Sequence, residues 1–209
     1  MSRLRIFVLL LLLLVALPAF AATPTQDVLT QLQARVAQLP VLRGEFEQEK
    51  QVQGFKNPLR SSGNFLIARD RGLLWQTRKP FPSELVFTRD RILQRGTDGT
   101  IRVEADARQQ PGLRQVNALM FALMHGDLRA LEGQFQLQPQ LLAGNRWQLQ
   151  LTPKGAALAR LFVRITLEGD RHVRSVLIEE RGGDRSQLRF SAMSETPATL
   201  TADEARRFD

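Results

Sequence analysis

The chain has 209 residues, 43% of them hydrophobic, no cysteine, and a formal net charge of +8 at pH 7. That length and apolar content suit one domain with a sizeable core, and the missing cysteines exclude disulfide scaffolds, thiol nucleophiles and thiolate metal sites. The arginines are scattered along the chain with no run of five like charges, which argues against nucleic acid and leaves two readings, a solvated face or a surface for anionic lipid headgroups or acidic proteins.

Residues 1–21 read as a cleaved signal peptide. Arg3 and Arg5 make a positive start, residues 6–17 are an unbroken apolar run of twelve, and Ala19-Phe20-Ala21 fits a small-x-small cleavage site. Such a run is shorter than the roughly twenty residues of a membrane-spanning helix. No cysteine is present to take a lipid. The expected product is a periplasmic chain, residues 22–209, forming a single domain; losing Arg3 and Arg5 takes the charge from +8 to +6.

A first helix is predicted over 24–39. Thr23 and Gln26 fit a capping box, Pro24 suits the first helical position, and Pro40 stops the helix. Val28, Leu29, Leu32, Val36 and Leu39 form one apolar stripe, which belongs against a sheet. A strand over 41–52 follows, with Leu42, Gly44, Phe46 and Gln48 on one face and Arg43, Glu45, Glu47 and Glu49 on the other. Alternate strand residues lie about 6.6 Å apart, awkward for closing carboxylates on one ion, so these acids read as a wet face paired with neighbouring arginines.

Residues 63–87 contain three short strands, turned by Asp70-Arg71-Gly72 and broken by Lys79-Pro80-Phe81-Pro82. Gly63, Phe65, Ile67 and Arg69 share a face, as do Leu73 with Trp75 and Leu85 with Phe87. Arg69 thus ends an apolar row. It is either a strand-end arginine with its head in water, or a guanidinium set in an apolar concavity and seeking carbonyl partners.

Short strands at 91–95 and 100–104 and an irregular stretch at 105–112 come next. Residues 113–131 read as helical and apolar nearly all round, centred on Ala-Leu-Met-Phe-Ala-Leu-Met at 118–124, with His125-Gly126 as a cap. The segment is equally core or an adaptable greasy lid, since methionine suits both. Trp147, Leu149 and Leu151 alternate with polar residues on a clear half-buried strand. A helical turn at 155–160 and strands around Val163–Leu167, 173–181 and Leu188–Phe190 follow, and Thr201 with Glu204 fits a capping box. Evenly spaced antiparallel strands with Gly-rich turns predict one curved sheet or incomplete barrel.

Catalytic motifs are sparse. His125 and His172 have no acid at a useful spacing, Glu179 and Glu180 point to opposite faces of a strand, and no G-x-S-x-G, H-E-x-x-H or phosphate-cradling loop is present. The expectation is a protein that is not an enzyme and uses no cofactor or metal.

Phe46-x-Gln48, Gly63-x-Phe65-x-x-x-Arg69, Leu74-Trp75 and Pro80, in that order and spacing, resemble the periplasmic outer-membrane lipoprotein carriers of the LolA family, best over 25–95 and more loosely to about 192. The resemblance implies an α+β fold in which a single strongly curved antiparallel sheet forms an incomplete β-barrel with helices covering the concave side. It implies an apolar cavity for the acyl chains of lipoproteins, or of another envelope lipid, shuttled from the inner towards the outer membrane. The residues expected to line that cavity are Phe46, Phe65, Ile67, Leu73, Trp75, Leu85, Phe87, Met120, Leu123, Met124, Trp147, Leu149 and Leu151, of which Leu73 and Trp75 match apolar positions at its mouth in the family. Arg69 matches the family's arginine that bonds lid carbonyls in the closed, empty state. The implied partners are acylated lipoprotein or other lipid cargo, an inner-membrane ABC-type releasing complex and an outer-membrane acceptor, with the carrier monomeric. Asp70-Arg71-Gly72, where the family commonly has proline, and the end from 194 to 209 depart from the pattern. They leave room for a paralogue or sensor serving another lipid-linked cargo, such as a glycolipid or pigment, with an envelope hydrolase a remoter alternative.

Overall fold

The computed structural model describes residues 24–96, 99–106, 122 and 127–208. Its framework is one unclosed, curved, antiparallel sheet of eleven strands. Strands β1 (Val41–Gln51), β2 (Leu59–Ala68), β3 (Gly72–Lys79), β4 (Ser83–Phe87), β5 (Arg91–Arg95) and β6 (Ile101–Asp106) form one meander. Strands β7 (Phe135–Leu141), β8 (Trp147–Pro153), β9 (Phe162–Gly169), β10 (Val173–Glu180) and β11 (Arg185–Ser194) form a second. The two meet where β11 pairs with β1, giving the order β6-β5-β4-β3-β2-β1-β11-β10-β9-β8-β7.

Helix α1 (Pro24–Arg35) lies across the second meander. Its Leu29, Leu32 and Val36 are buried against Trp147, Leu149 and Leu151 of β8, Ile165 and Leu167 of β9 and Val176 of β10. A buried side chain of this size contributes about 1.5–3 kcal/mol, so this contact is a principal source of stability. The helix ends four residues before the predicted Leu39 because tertiary partners take over its backbone groups. The Ala37 N–H donates to the Arg171 carbonyl at 2.8 Å, and the Arg69 N–H donates to the Pro40 carbonyl at 2.9 Å. Thr23, the predicted cap, lies outside the described residues.

The helix-bearing, inner face continues across the seam through Phe190 of β11 onto the first meander. The seam is bent by a β-bulge: Arg43 pairs with Ser194 and Glu45 with Ser191, so Gly44 alone faces Ala192 and Met193. Ala192 takes the left-handed backbone this requires, at φ 48°.

On β1 the predicted wet face keeps Glu45 and Glu47 exposed, but the outer face of the first meander as a whole carries a second core. Val41, Leu66, Ala68, Leu74, Val86 and Leu93 are buried there, covered by Phe208 and Leu200 of the C-terminal segment. This segment contains helix α3 (Ala202–Arg206), started by the predicted capping box of Thr201 and Glu204. Arg43 straps it down: Nε and Nη2 each donate to the Glu204 carboxylate at 2.7 Å, and Nη1 donates to the Pro197 carbonyl at 2.7 Å. Arg207 donates to Glu84 on β4, and Arg91 donates to the Phe208 carbonyl at 3.2 Å. The Glu49 carboxylate, as expected, pairs across the strands with Arg60, at 3.1 Å.

Strand β7 was not predicted. It holds Pro139 in its middle, which a sheet tolerates only at an edge, and β7 is an edge strand. Of the predicted 113–131 helical stretch, Ala122 is helical and buried in the α1 core, and Leu128–Leu131 forms a 3-10 turn capped by Asp127. The remainder, including Met120, Leu123, Met124 and His125, lies outside the described residues. The turn Gly155–Arg160 contains the short helix α2 (Ala156–Ala159).

Candidate functional site, an aromatic inner face

Antiparallel register and strand alternation together collect large apolar side chains on the inner face of β1, β2 and β3. Phe46, Phe65, Ile67 and Leu73 are buried there, with Leu42, Trp75, Phe87, Phe190 and Met193 half-buried around them. Phe46 of β1 and Trp75 of β3 reach each other across β2, their rings stacked at 3.8 Å and 25°. Gly63 on the intervening strand pairs with Phe46 and puts no side chain between them. Phe65 and Trp75 both meet Phe190 edge-on, at 5.4 and 6.2 Å. The partly exposed rings of Trp75, Phe87 and Phe190 thus border a buried apolar floor of Phe46, Phe65, Ile67 and Leu73.

Arg69 stands just past the end of β2, at the border of this face. Its Nε donates to the Leu39 carbonyl at 3.4 Å and its Nη1 to the Gln38 side-chain oxygen at 3.2 Å. Nη2 is buried with no hydrogen-bond partner among the described residues. Arg69 therefore clamps the link between α1 and β1 with weak, long bonds and one unmet donor.

The structure separates the predicted cavity residues into two groups. Phe46, Phe65, Ile67, Leu73, Trp75 and Phe87 come together as described. Trp147, Leu149 and Leu151 lie in the other cluster, each 0% exposed beneath α1. The Trp147 indole N–H donates to the Asp170 carbonyl at 2.6 Å. Leu85 is half-buried on β4, in register with Trp75. Leu42, Phe190 and Met193 were missed, although Phe190 stands opposite Phe46 in the β1–β11 register and links the two clusters.

His172, with no acid at a useful spacing in the sequence, is 9% exposed and its Nε2 lies 2.9 Å from Glu195 across the fold. The hydrogen bond from Arg171 holds the Glu195 carboxyl down at about 2 against an ordinary 4.5. With Nε2 engaged and Nδ1 buried without a partner among the described residues, this ring ties the β9–β10 turn to the end of β11. No group of three or more metal-ligating side chains occurs among the described residues, and none of the described helices is long and apolar enough to cross a membrane.

A family model described as "Outer membrane lipoprotein carrier protein LolA" matches residues 37–204. An outer-membrane lipoprotein carrier protein of Dechloromonas aromatica is 27% identical over 165 residues, covering 77% of this chain and 74% of its own length. Among solved structures, a LolA superfamily protein of Nitrosomonas europaea aligns at 10% identity with a TM-score of 0.45, covering 83% of this chain and 94% of its own. A domain titled as a putative outer membrane lipoprotein-sorting protein from Vibrio parahaemolyticus aligns at 8% identity and a TM-score of 0.48, covering 87% and 96%. The match to the family model spans most of the chain, and the protein belongs to the LolA family of outer-membrane lipoprotein carriers.

Proposed function

We propose that this protein is a periplasmic carrier that takes the acyl chains of a lipoprotein, or of a related envelope lipid, onto the inner face of β1–β4. The observation that supports this most directly is the aromatic cluster of Phe46, Phe65, Trp75 and Phe190, half open at its edge. Each methylene removed from water contributes about 0.8 kcal/mol, so chains of ordinary lipid length bind there without a specific polar contact. Leu85, Phe87 and the predicted cavity positions Met120, Leu123 and Met124 complete the proposed cavity wall.

Release needs a loaded state that is not too stable. Arg69 supplies it in this reading: it holds the neighbouring link through the Leu39 carbonyl and Gln38, and cargo must displace or bypass that contact. Loading then works against the clamp, and cargo passes to an acceptor with a better apolar site. The inner-membrane releasing complex and outer-membrane acceptor of the family are the proposed partners, with no catalytic step.

Native mass spectrometry of the protein purified from periplasm tests the reading: acyl adducts are expected, and their mass separates a lipoprotein from a glycolipid or pigment. Protein that remains free of adducts in cells producing all three overturns the carrier reading. Arg69→Leu is expected to keep its adduct when mixed with acceptor membranes that unload wild type, with transfer slowed about tenfold or more for the loss of one clamp. Equal transfer rates remove Arg69 from the mechanism and leave the cavity untouched.

A further inference from the structure

The two ends of the sheet differ in character. Six large apolar side chains are exposed among the described residues: Phe55 at 62%, Leu59 at 56%, Phe81 at 82%, Ile101 at 52%, Leu161 at 50% and Val163 at 41%. All six fall at the same end. Phe55 is in the β1–β2 connection, Leu59 opens β2, Phe81 is in the β3–β4 connection, Ile101 opens β6, and Leu161 and Val163 flank the first residue of β9. The registers fix these as one rim: Lys50 pairs with Leu59, Ser62 with Lys79, Arg95 with Ile101, and Glu180 with Phe162. The opposite end carries Arg69, the Asp70 turn and the links to α1, and none of the six.

Charge has the same polarity. In segments 52–58, 78–82, 99–102, 154–164 and 181–183, every exposed charged side chain is basic. Lys56, beside Phe55, and Arg78 and Lys79, just before Phe81, have no carboxylate partner among the described residues. The β3–β4 tip, Arg78-Lys79-Pro80-Phe81-Pro82, is exposed throughout. Isolated exposed apolar residues are common, but six on one rim among unpaired cations form a pattern. Aromatic tips enter the boundary between headgroups and acyl chains while lysine and arginine meet anionic phosphate. Acidic protein surfaces would satisfy the cations yet leave widely spaced apolar tips without matching pockets, so a fluid lipid surface fits the arc better.

We propose that this rim docks the protein transiently on an anionic lipid bilayer, with Phe55 and Phe81 as the inserted tips and Lys56, Arg78 and Lys79 as the headgroup contacts. The proposal does not depend on the cavity. Protein that binds vesicles but carries no acyl adduct would fail as a carrier and still dock, and the reverse result would separate the two in the other direction.

The test is flotation of the protein, expressed from its full sequence, with protein-free vesicles of phosphatidylglycerol and phosphatidylethanolamine or of phosphatidylcholine alone. Wild type is expected to float with the anionic vesicles only, and the double variant Phe55→Ser, Phe81→Ser to bind about tenfold more weakly with an unchanged circular dichroism spectrum. Salt at about 0.5 M should weaken wild type further, because it screens the lysine and arginine contacts. A Phe81→Trp reporter in a Trp75→Phe, Trp147→Phe background is expected to shift its emission to the blue on adding anionic vesicles, which reads that position whatever the leader does. Equal flotation of wild type and double variant, or a reporter that stays in water, overturns the proposal. Retention by native inner-membrane vesicles but not by protein-free ones assigns the rim to a protein partner and also overturns it.

Discussion

Trp75 and Trp147 are the two tryptophans of the chain, and they report on different places. Trp75 is stacked on Phe46 and half-buried at the aromatic face, whereas Trp147 is sealed under α1. Acyl chains brominated near their ends should quench Trp75 in a Trp147→Phe protein and leave Trp147 in a Trp75→Phe protein nearly unquenched. Equal quenching of both would place hydrocarbon beneath α1 instead. Gly63 is a stricter constraint. A Cβ there would sit 1.9 Å from the Gln76 carbonyl oxygen, so Gly63→Ala has to move backbone. Urea unfolding should show a loss of about 3 kcal/mol or more. The Gly63–Phe65–Arg69 spacing was legible in the sequence because the positions alternate along one strand. The acceptors of Arg69 were not, because Gln38 and Leu39 lie 31 and 30 residues away.

The elements were read best where one face is apolar and the other polar. Strands β1 and β8 alternate in this way and were placed within a residue or two. The first meander departs from alternation in adjacent apolar pairs, Leu66-Ile67, Leu73-Leu74, Val86-Phe87 and Ile92-Leu93. Such pairs signal strands covered on both faces, and they were the available clue to the outer core beneath Phe208. What covers that core could not be read locally, since α3 lies far away in sequence and is only five residues long. Phe208→Ala should lower stability by about 3–5 kcal/mol in urea unfolding. The same strap titrates. Hydrogen bonding to Arg43 holds the Glu204 carboxyl at about 2, below the usual 4.5. A folded-state value below the unfolded one means stability that is complete above about pH 4.5 and is lost as pH falls towards 2. Wild type should therefore show a falling urea midpoint across that interval, and Glu204→Gln a flatter one from a lower starting value. If the two profiles run parallel, the strap does not carry the acid sensitivity.

At the scale of the whole molecule, the sheet and its curvature followed from the regular hairpins, while the division into an α1 core and an aromatic face did not. Both are built from apolar strand positions, and the register of β11 against β1, through Phe190, shows where they meet. The order of the strands also has a consequence for how the chain acquires its structure. Helix α1 comes first in sequence, but its apolar stripe packs on β8, β9 and β10, beginning more than a hundred residues later. Strand β1 likewise waits for β11, near the far terminus, before both its edges are paired. Emerging from a ribosome or a translocation pore, the amphipathic opening segment has nowhere native to go until almost all of the polypeptide has followed. Its greasy side must meanwhile be shielded by something else, and a chain stopped before residue 135 should bind holding chaperones and be cut readily by protease at α1.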